Sequence, residues 1–133
     1  MSVRHFLDID GAATLPTEEL SLVDQSVADL VRTQAMGAVH GPAGLGKTFA
    51  VERALARRVG EVAACWVSFP SRPTMRLVAA TLLEELTRVP VTGRRDRFAL
   101  TADLLEELAD HRGRDPRERL LVVDEAQQLN REC

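Results

Sequence analysis

The sequence predicts an α/β fold of three layers, a parallel sheet covered by helices, and three observations predict it. Short apolar runs at 36–40, 62–69 and 120–123 alternate with segments of helical period. A glycine-rich octapeptide, Gly41 to Thr48, stands between the first run and the helix that follows. An acid pair, Asp124-Glu125, comes directly after the last run. Strands separated by helical patterns call for parallel pairing through crossover helices. Strands buried on both faces read as unbroken apolar runs, as two of these three do. About three strands and an N-terminal helix are expected.

The elements follow in order. Residues 1–16 read as an irregular arm punctuated by Asp8, Asp10, Gly11 and Pro16. Leu22, Val23, Val27, Leu30 and Val31 have helical spacing, and Ser21 with Asp24 resembles a capping box, so a helix is expected over about 18–34. Met36 to His40 is a short strand broken by Gly37. After the octapeptide a helix carries Val51, Leu55 and Val59 on one face, with Gly60 as its stop. Val62 to Phe69 is a buried strand containing Trp66, ended by Pro70 and Pro73. Thr74 caps a helix carrying Met75, Val78, Ala79, Leu82 and Leu86, closed by Pro90. A polar loop with Arg94, Arg95 and Arg97 leads to a helix over about 98–112, with Leu104, Leu105 and Leu108 inward. Leu120 to Val123 is the last strand, and Ala126 to Arg131 can start another helix. The organisation expected is an arm and helix over 1–35 and an incomplete α/β core over 36–133.

Length and charge bound the function. The chain has 133 residues, enough for one domain, and a formal net charge of −3. That balance argues against a protein that coats nucleic acid by charge alone. No apolar run approaches the roughly 20 residues of a membrane span, and the first residues carry no signal-peptide core, so a cytoplasmic protein is expected. Cys65, in an apolar run, and Cys133 have no metal-ligand spacing and read as reduced thiols. Among 17 basic residues, Lys47 is the only lysine. A compact ammonium on a flexible stem does what a planar guanidinium does not.

Gly41 to Thr48 fits G-x-x-x-x-G-K-[ST] at every fixed position, with a strand expected before it and a helix after it. A chance match in a chain of this length is about one in a few hundred on average glycine usage. Glycines let the backbone wrap phosphates, and the wrapped N–H groups and the helix N-terminus present positive ends to an anion. The cofactor-binding residues expected are Gly41, Pro42, Ala43, Gly44, Leu45, Gly46, Lys47, Thr48 and Phe49. Lys47 reaches the β- and γ-phosphates of ATP, and the Thr48 hydroxyl reaches Mg²⁺. Asp124, at the carboxyl end of a strand, is placed to hold the Mg²⁺ shell, since open α/β sheets bind ligands outside that edge. Glu125, one step on, is the expected base that deprotonates an attacking water. An ordinary helix N-terminus rich in acids is the competing reading of Asp124-Glu125 taken alone.

His40 to Thr48 and Leu121 to Leu129 resemble the Walker A and Walker B segments of AAA+ P-loop ATPases. The Asp-Glu-Ala-Gln-Gln-Leu version of the second resembles transposon-encoded ATP-binding proteins, the TniB and TnsC-like target-selection ATPases and the MuB and IstB relatives. The resemblance covers about 20–133. It implies an ATP-dependent homo-oligomer that loads onto DNA and recruits or regulates a transposase. It also implies that Ser68, at the end of the second strand, contacts the catalytic glutamate, and that the adenine lies near Gln34 to Met36.

Cores of that family have five parallel strands, whereas this chain stops directly after the Walker B segment. A fourth strand with its sensor residue, a fifth strand, an arginine finger and a helical lid are not in the sequence. An incomplete core is therefore expected, from a truncated reading frame or a degenerate gene. Other readings are a small P-loop kinase and a nucleotide-binding module without turnover. Elsewhere, Arg94, Arg95 and Arg97 are candidates for DNA phosphates. However, seven arginines (94, 95, 97, 112, 114, 117, 119) face seven acids (96, 103, 106, 107, 110, 115, 118) across this tract, which favours a solvated loop. Arg57 and Arg58 are expected to serve a helix dipole, and His40 to pack or turn.

The sensor and arginine finger supply charge stabilisation worth about 10³ to 10⁵ in rate. The 133-residue chain alone is therefore expected to show little or no ATPase activity even when it binds nucleotide. A monomeric, cooperatively melting chain that hydrolyses ATP near about 1 s⁻¹ in a phosphate-release assay overturns this expectation.

Overall fold

The structure is a computed structural model that describes residues 13–110 and 115–129. The described residues divide into two compact units between Val62 and Ala63.

In the first unit, α1 spans Glu18–Thr33. Its cap is Thr17, not Ser21: the Thr17 hydroxyl accepts from the Leu20 amide at 3.2 Å. Ser21 instead donates to the Thr17 carbonyl, and Asp24 is committed elsewhere. Threonine at the cap satisfies one of the four amides a helix start leaves unpaired. Gln34 ends the helix in the left-handed conformation and returns its N–H to Leu30 and Val31.

The second helix, α2, spans Lys47–Ala56. It stops before Gly60 because the chain turns at Arg57. The face expected from Val51, Leu55 and Val59 is corrected accordingly. Ala50, Ala54 and Leu55 are buried, together with Val27 of α1 and Val62, whereas Val59 lies beyond the helix and is mostly exposed. Alanines at i and i+4 let the two helices approach closely.

At the end of α2, Arg58 crosses to α1. One of its nitrogens donates to Asp24 Oδ1 at 2.9 Å and to the Ala54 carbonyl at 2.6 Å, and the other to the Asp24 carbonyl at 3.1 Å. Serving the helix end is thus only part of its role; the larger part ties two helices together.

The strand expected at 36–40 is corrected too. Residues 35–40 carry no strand pairing, and Met36 is 98% exposed. Strand residues gain their stability from a hydrogen-bonded neighbour, and here the sheet of the described residues pairs only two strands.

Those two are β1, Val62–Ser68, and β2, Glu118–Asp124. They run parallel, as the intervening helices require. The fold is α/β with an incomplete sheet of two strands in place of the three expected. Between the strands, α3 spans Met75–Thr87, capped by Thr74 as its sequence predicts, and α4 spans Arg97–Asp110.

Two apolar clusters hold the second unit. Cys65, Val67 and Phe69 take Val78, Leu82 and Leu86 of α3 and Val123 of β2. Ala79 and Leu83 take Leu100 of α4, whose side chain is fully buried. Trp66, expected in the core, is half-buried.

The inward face of α4 differs from the expected one. Leu100 and Glu107 point in, Leu104 is half-buried, and Leu105 and Leu108 are exposed. Glu107 is buried because Arg119 of β2 reaches it at 3.3 Å, an ionic tie that replaces an apolar one. Nor is β2 sealed on both faces: Leu121 is 40% exposed. The helix expected from Ala126 is a 3₁₀ turn, Ala126–Gln128. The residues expected to continue it, 130 and 131, and those expected to end α4, 111–113, lie outside the described residues, as does most of the arm.

The Arg58 guanidinium beside Asp24 holds that carboxyl below the usual carboxylate range, against the opposing effect of burial. Stability from this pair is full above the unfolded value near about 3.9 and is lost as pH falls through the lower folded value. In urea titrations, Asp24→Asn is expected to lower stability at pH 7 by about 1–3 kcal/mol. The gap to the unsubstituted protein narrows below about pH 4; a gap independent of pH overturns the ionic reading.

Candidate nucleotide site

The glycine-rich loop belongs to the first unit. Gly44 and Gly46 have φ of +81° and +71°. A Cβ added at either meets nothing within 4 Å, so these positions need glycine for torsion rather than for space. The left-handed region is open to glycine at little cost. Two such residues fold the loop back on itself, and Gly46 then caps α2 without any side-chain bond. The first intrahelical bond runs from the Ala50 amide to the Gly46 carbonyl at 2.9 Å. The start of α2 therefore presents backbone amides and the positive end of the helix dipole at the loop.

Lys47 opens the helix, and its side chain turns back over the loop. The ammonium donates to the carbonyls of Gly41 at 3.0 Å and Pro42 at 2.8 Å. An ammonium has three donors and needs no fixed plane, so it can leave these two carbonyls for a stronger anionic acceptor. Thr48 is exposed, Phe49 half-buried and Ala50 buried, so the helix turns its anchoring face inward one residue beyond the loop. Pro42, Ala43 and Leu45 are exposed loop positions, as is His40, which leaves that histidine no packing role.

The acid pair belongs to the second unit. Asp124 is the last residue of β2, where the strand's carboxyl end opens. Its Oδ1 accepts from the Glu125 amide at 2.9 Å. Glu125 itself is left-handed, with φ of 54°, an uncommon state for a residue with a Cβ. That conformation turns the chain out of the strand and leaves Glu125 exposed. The Gln127 amide hydrogen-bonds the Glu125 carboxylate, and the Gln128 amide donates to the Glu125 carbonyl at 2.9 Å.

The carboxyl ends of the two strands are laced together. The Arg72 amide, in the loop after β1, donates to the Gln128 carbonyl, in the turn after β2, at 3.2 Å. Ser68 is the exposed last residue of β1, at the same end of the sheet as Asp124. Gln127, which touches Glu125, is a site neighbour that sequence reasoning missed. Its place two residues after Glu125 is the only signal in the sequence, where a helix is expected from Ala126; the 3₁₀ turn brings the two side chains together.

A glycine-rich loop opening a helix in one unit, and in the other a parallel strand that ends at Asp124 with Glu125 directly after it, are features of the P-loop class of α/β nucleotide-binding folds. Within that class the chain belongs to the AAA domain family, whose pattern matches residues 29–133. AAA domains bind nucleotide, typically ATP with Mg²⁺, and carry ATPase-type activity. No curated protein and no solved structure matches the chain. Among the described residues no helix is long and apolar enough to cross a membrane.

Because the torsion and not the space is the constraint, Gly46→Ala is expected to destabilise the first unit by about 1–2 kcal/mol. Gly60 has open space and no left-handed φ, so Gly60→Ala serves as the control and leaves the urea midpoint unchanged or slightly raised. Equal effects of the two substitutions overturn the torsional account.

Proposed function

We propose that the chain binds ATP with Mg²⁺ at Gly41 to Phe49, and that in a full-length form Glu125 drives its hydrolysis. The observation that carries this reading is Lys47, held over the loop by two carbonyls it can exchange for phosphate oxygens. On binding, the amides of Gly44, Leu45 and Gly46 and the start of α2 face the phosphates. The ammonium moves from Gly41 and Pro42 to the β- and γ-phosphates and neutralises charge that builds there during transfer.

The Thr48 hydroxyl and the Asp124 carboxylate are hard oxygen donors of the kind Mg²⁺ takes, alongside phosphate oxygens and water. When bound, the ion draws charge from the phosphate oxygens. Glu125 takes the proton of the attacking water, and Gln127 sets the direction of its carboxylate. Ser68 is the polar neighbour at the same sheet end.

The wider role we propose is that of an accessory or target-selection ATPase for DNA transposition, acting as a homo-oligomer on DNA beside a transposase in the cytoplasm. The support is the resemblance of Asp124 to Leu129 to transposon-encoded ATPases. A second reading, a nucleotide-binding module without turnover, is favoured by one observation. The Glu125 carboxylate is engaged by Gln127, which occupies an oxygen that an attacking water would otherwise use.

Lys47→Ala is expected to lower affinity for a fluorescent ATP analogue at least about thirtyfold while leaving the melting curve in place. In a full-length form, Glu125→Gln keeps nucleotide affinity but lowers steady-state phosphate release about 10²- to 10⁴-fold. Unchanged affinity in the first variant sinks the binding site. Unchanged turnover in the second reduces Glu125 to a turn residue.

A further inference from the structure

The tract from 94 to 119 is neutral in sequence, but among its described residues Asp103 and Glu107 are held in ion pairs while Arg94 and Arg97 are exposed. Near the start of α4, Arg76 reaches across from α3 and donates to the Arg95 carbonyl at 2.8 Å and the Gly93 carbonyl at 3.5 Å. This brings a cation from another helix against the loop that carries Arg94, just before α4. Of the acids there, Asp103 pairs with Arg95, and Asp96, which is exposed and keeps its charge, turns a carboxylate oxygen to the Ala99 amide at 2.9 Å. Farther along, Glu107 is buried against Arg119. Arg76, Arg94 and Arg97 are all exposed.

Beside Arg97 stands Phe98, which is 71% exposed. The Arg97 guanidinium lies over its ring, 4.8 Å from the centroid. One face of the ring is thus covered by a cation, which orients the ring and fixes it beside the arginines. A large exposed aromatic inside a cationic patch matches the chemistry of single strands. Arginines take successive phosphates, and an aromatic ring takes the face of an unpaired base. A duplex hides its base faces. A flat anionic bilayer would also meet the exposed acids Glu106 and Asp110 of the same helix, whereas a thread a few ångströms wide need touch only the arginines.

We propose that Arg76, Arg94, Arg97 and Phe98 form a surface that binds single-stranded nucleic acid. These residues belong to the second unit, so the surface needs neither the phosphate loop nor its nucleotide.

The test is fluorescence anisotropy of a labelled 15-residue oligothymidine with the whole chain, beside a duplex of equal length and vesicles of phosphatidylserine and phosphatidylcholine. The oligothymidine is expected to bind more tightly than the duplex or the vesicles. Three neutralised phosphates give a slope of about −2 for log affinity against log salt. Arg94→Glu and Arg97→Glu each weaken binding about tenfold or more, and Arg94→Gln weakens it less. Phe98→Ala weakens it roughly 5- to 100-fold, and Phe98→Trp restores it. The ATP-analogue affinity and the melting temperature stay the same in Arg94→Glu and Phe98→Ala, which separates this surface from the nucleotide site. The proposal is overturned by vesicles or duplex binding more tightly than the oligothymidine, or by Phe98→Ala leaving its affinity within twofold. It is equally overturned if Phe98→Ala alters only the sedimentation coefficient, since the ring then serves contact between copies of the chain.

Discussion

The reach of one ammonium back across its own loop is the constraint on which the candidate nucleotide site depends. Lys47 meets the Gly41 and Pro42 carbonyls only because the backbone between them reverses through left-handed glycines. Remove that reversal and the loop opens, its amides diverge, and the helix start no longer faces the same space. An arginine there would bring a longer, planar group with a fork of fixed geometry. That accounts for a chain otherwise furnished with arginine keeping its only lysine at this point.

Anchoring comes from helix packing behind the loop. The small residues Ala50 and Ala54 lie against α1, and Arg58 binds Asp24. Both partners of that pair are partly sheltered, with side chains 15% and 26% exposed. The pair therefore contributes more than a surface ion pair, while a protonated Asp24 would leave the guanidinium under-satisfied. The second unit solves the same problem with mixed means. Leu100 fills the space between α3 and α4, and the Glu107–Arg119 pair joins α4 to β2. Cys65, buried in β1, has its thiol pushed up by that burial, which keeps it protonated and unreactive, as its apolar setting in the sequence suggests.

Much of this was legible in the residue order. The Thr74 cap, the extents of α1 and β1, the loop from Gly41 to Thr48 and the position of Asp124 at a strand's end all follow from local rules of capping, period and motif spacing. The wrong expectations were those that required knowing what lies opposite. Leu105 and Leu108 have the period of a buried face, but Leu100 and Glu107 took that place. Val59 has the spacing of α2's inner face, but the helix ended first. Glutamate at a buried position is not predictable without Arg119, which comes 12 positions later in the chain.

The sequence by itself determined the candidate nucleotide loop, because a glycine-rich turn into a helix is made by consecutive residues whose torsions and donors are written in their types. The tertiary structure alone decided how charge is distributed and which strands pair. A count over 94–119 gives neutrality, yet folding buries one acid, turns another into a cap and adds Arg76 from a different helix. Likewise the apolar run at 36–40 has the composition of a strand, but a strand is a relation between two segments, and composition names only one of them.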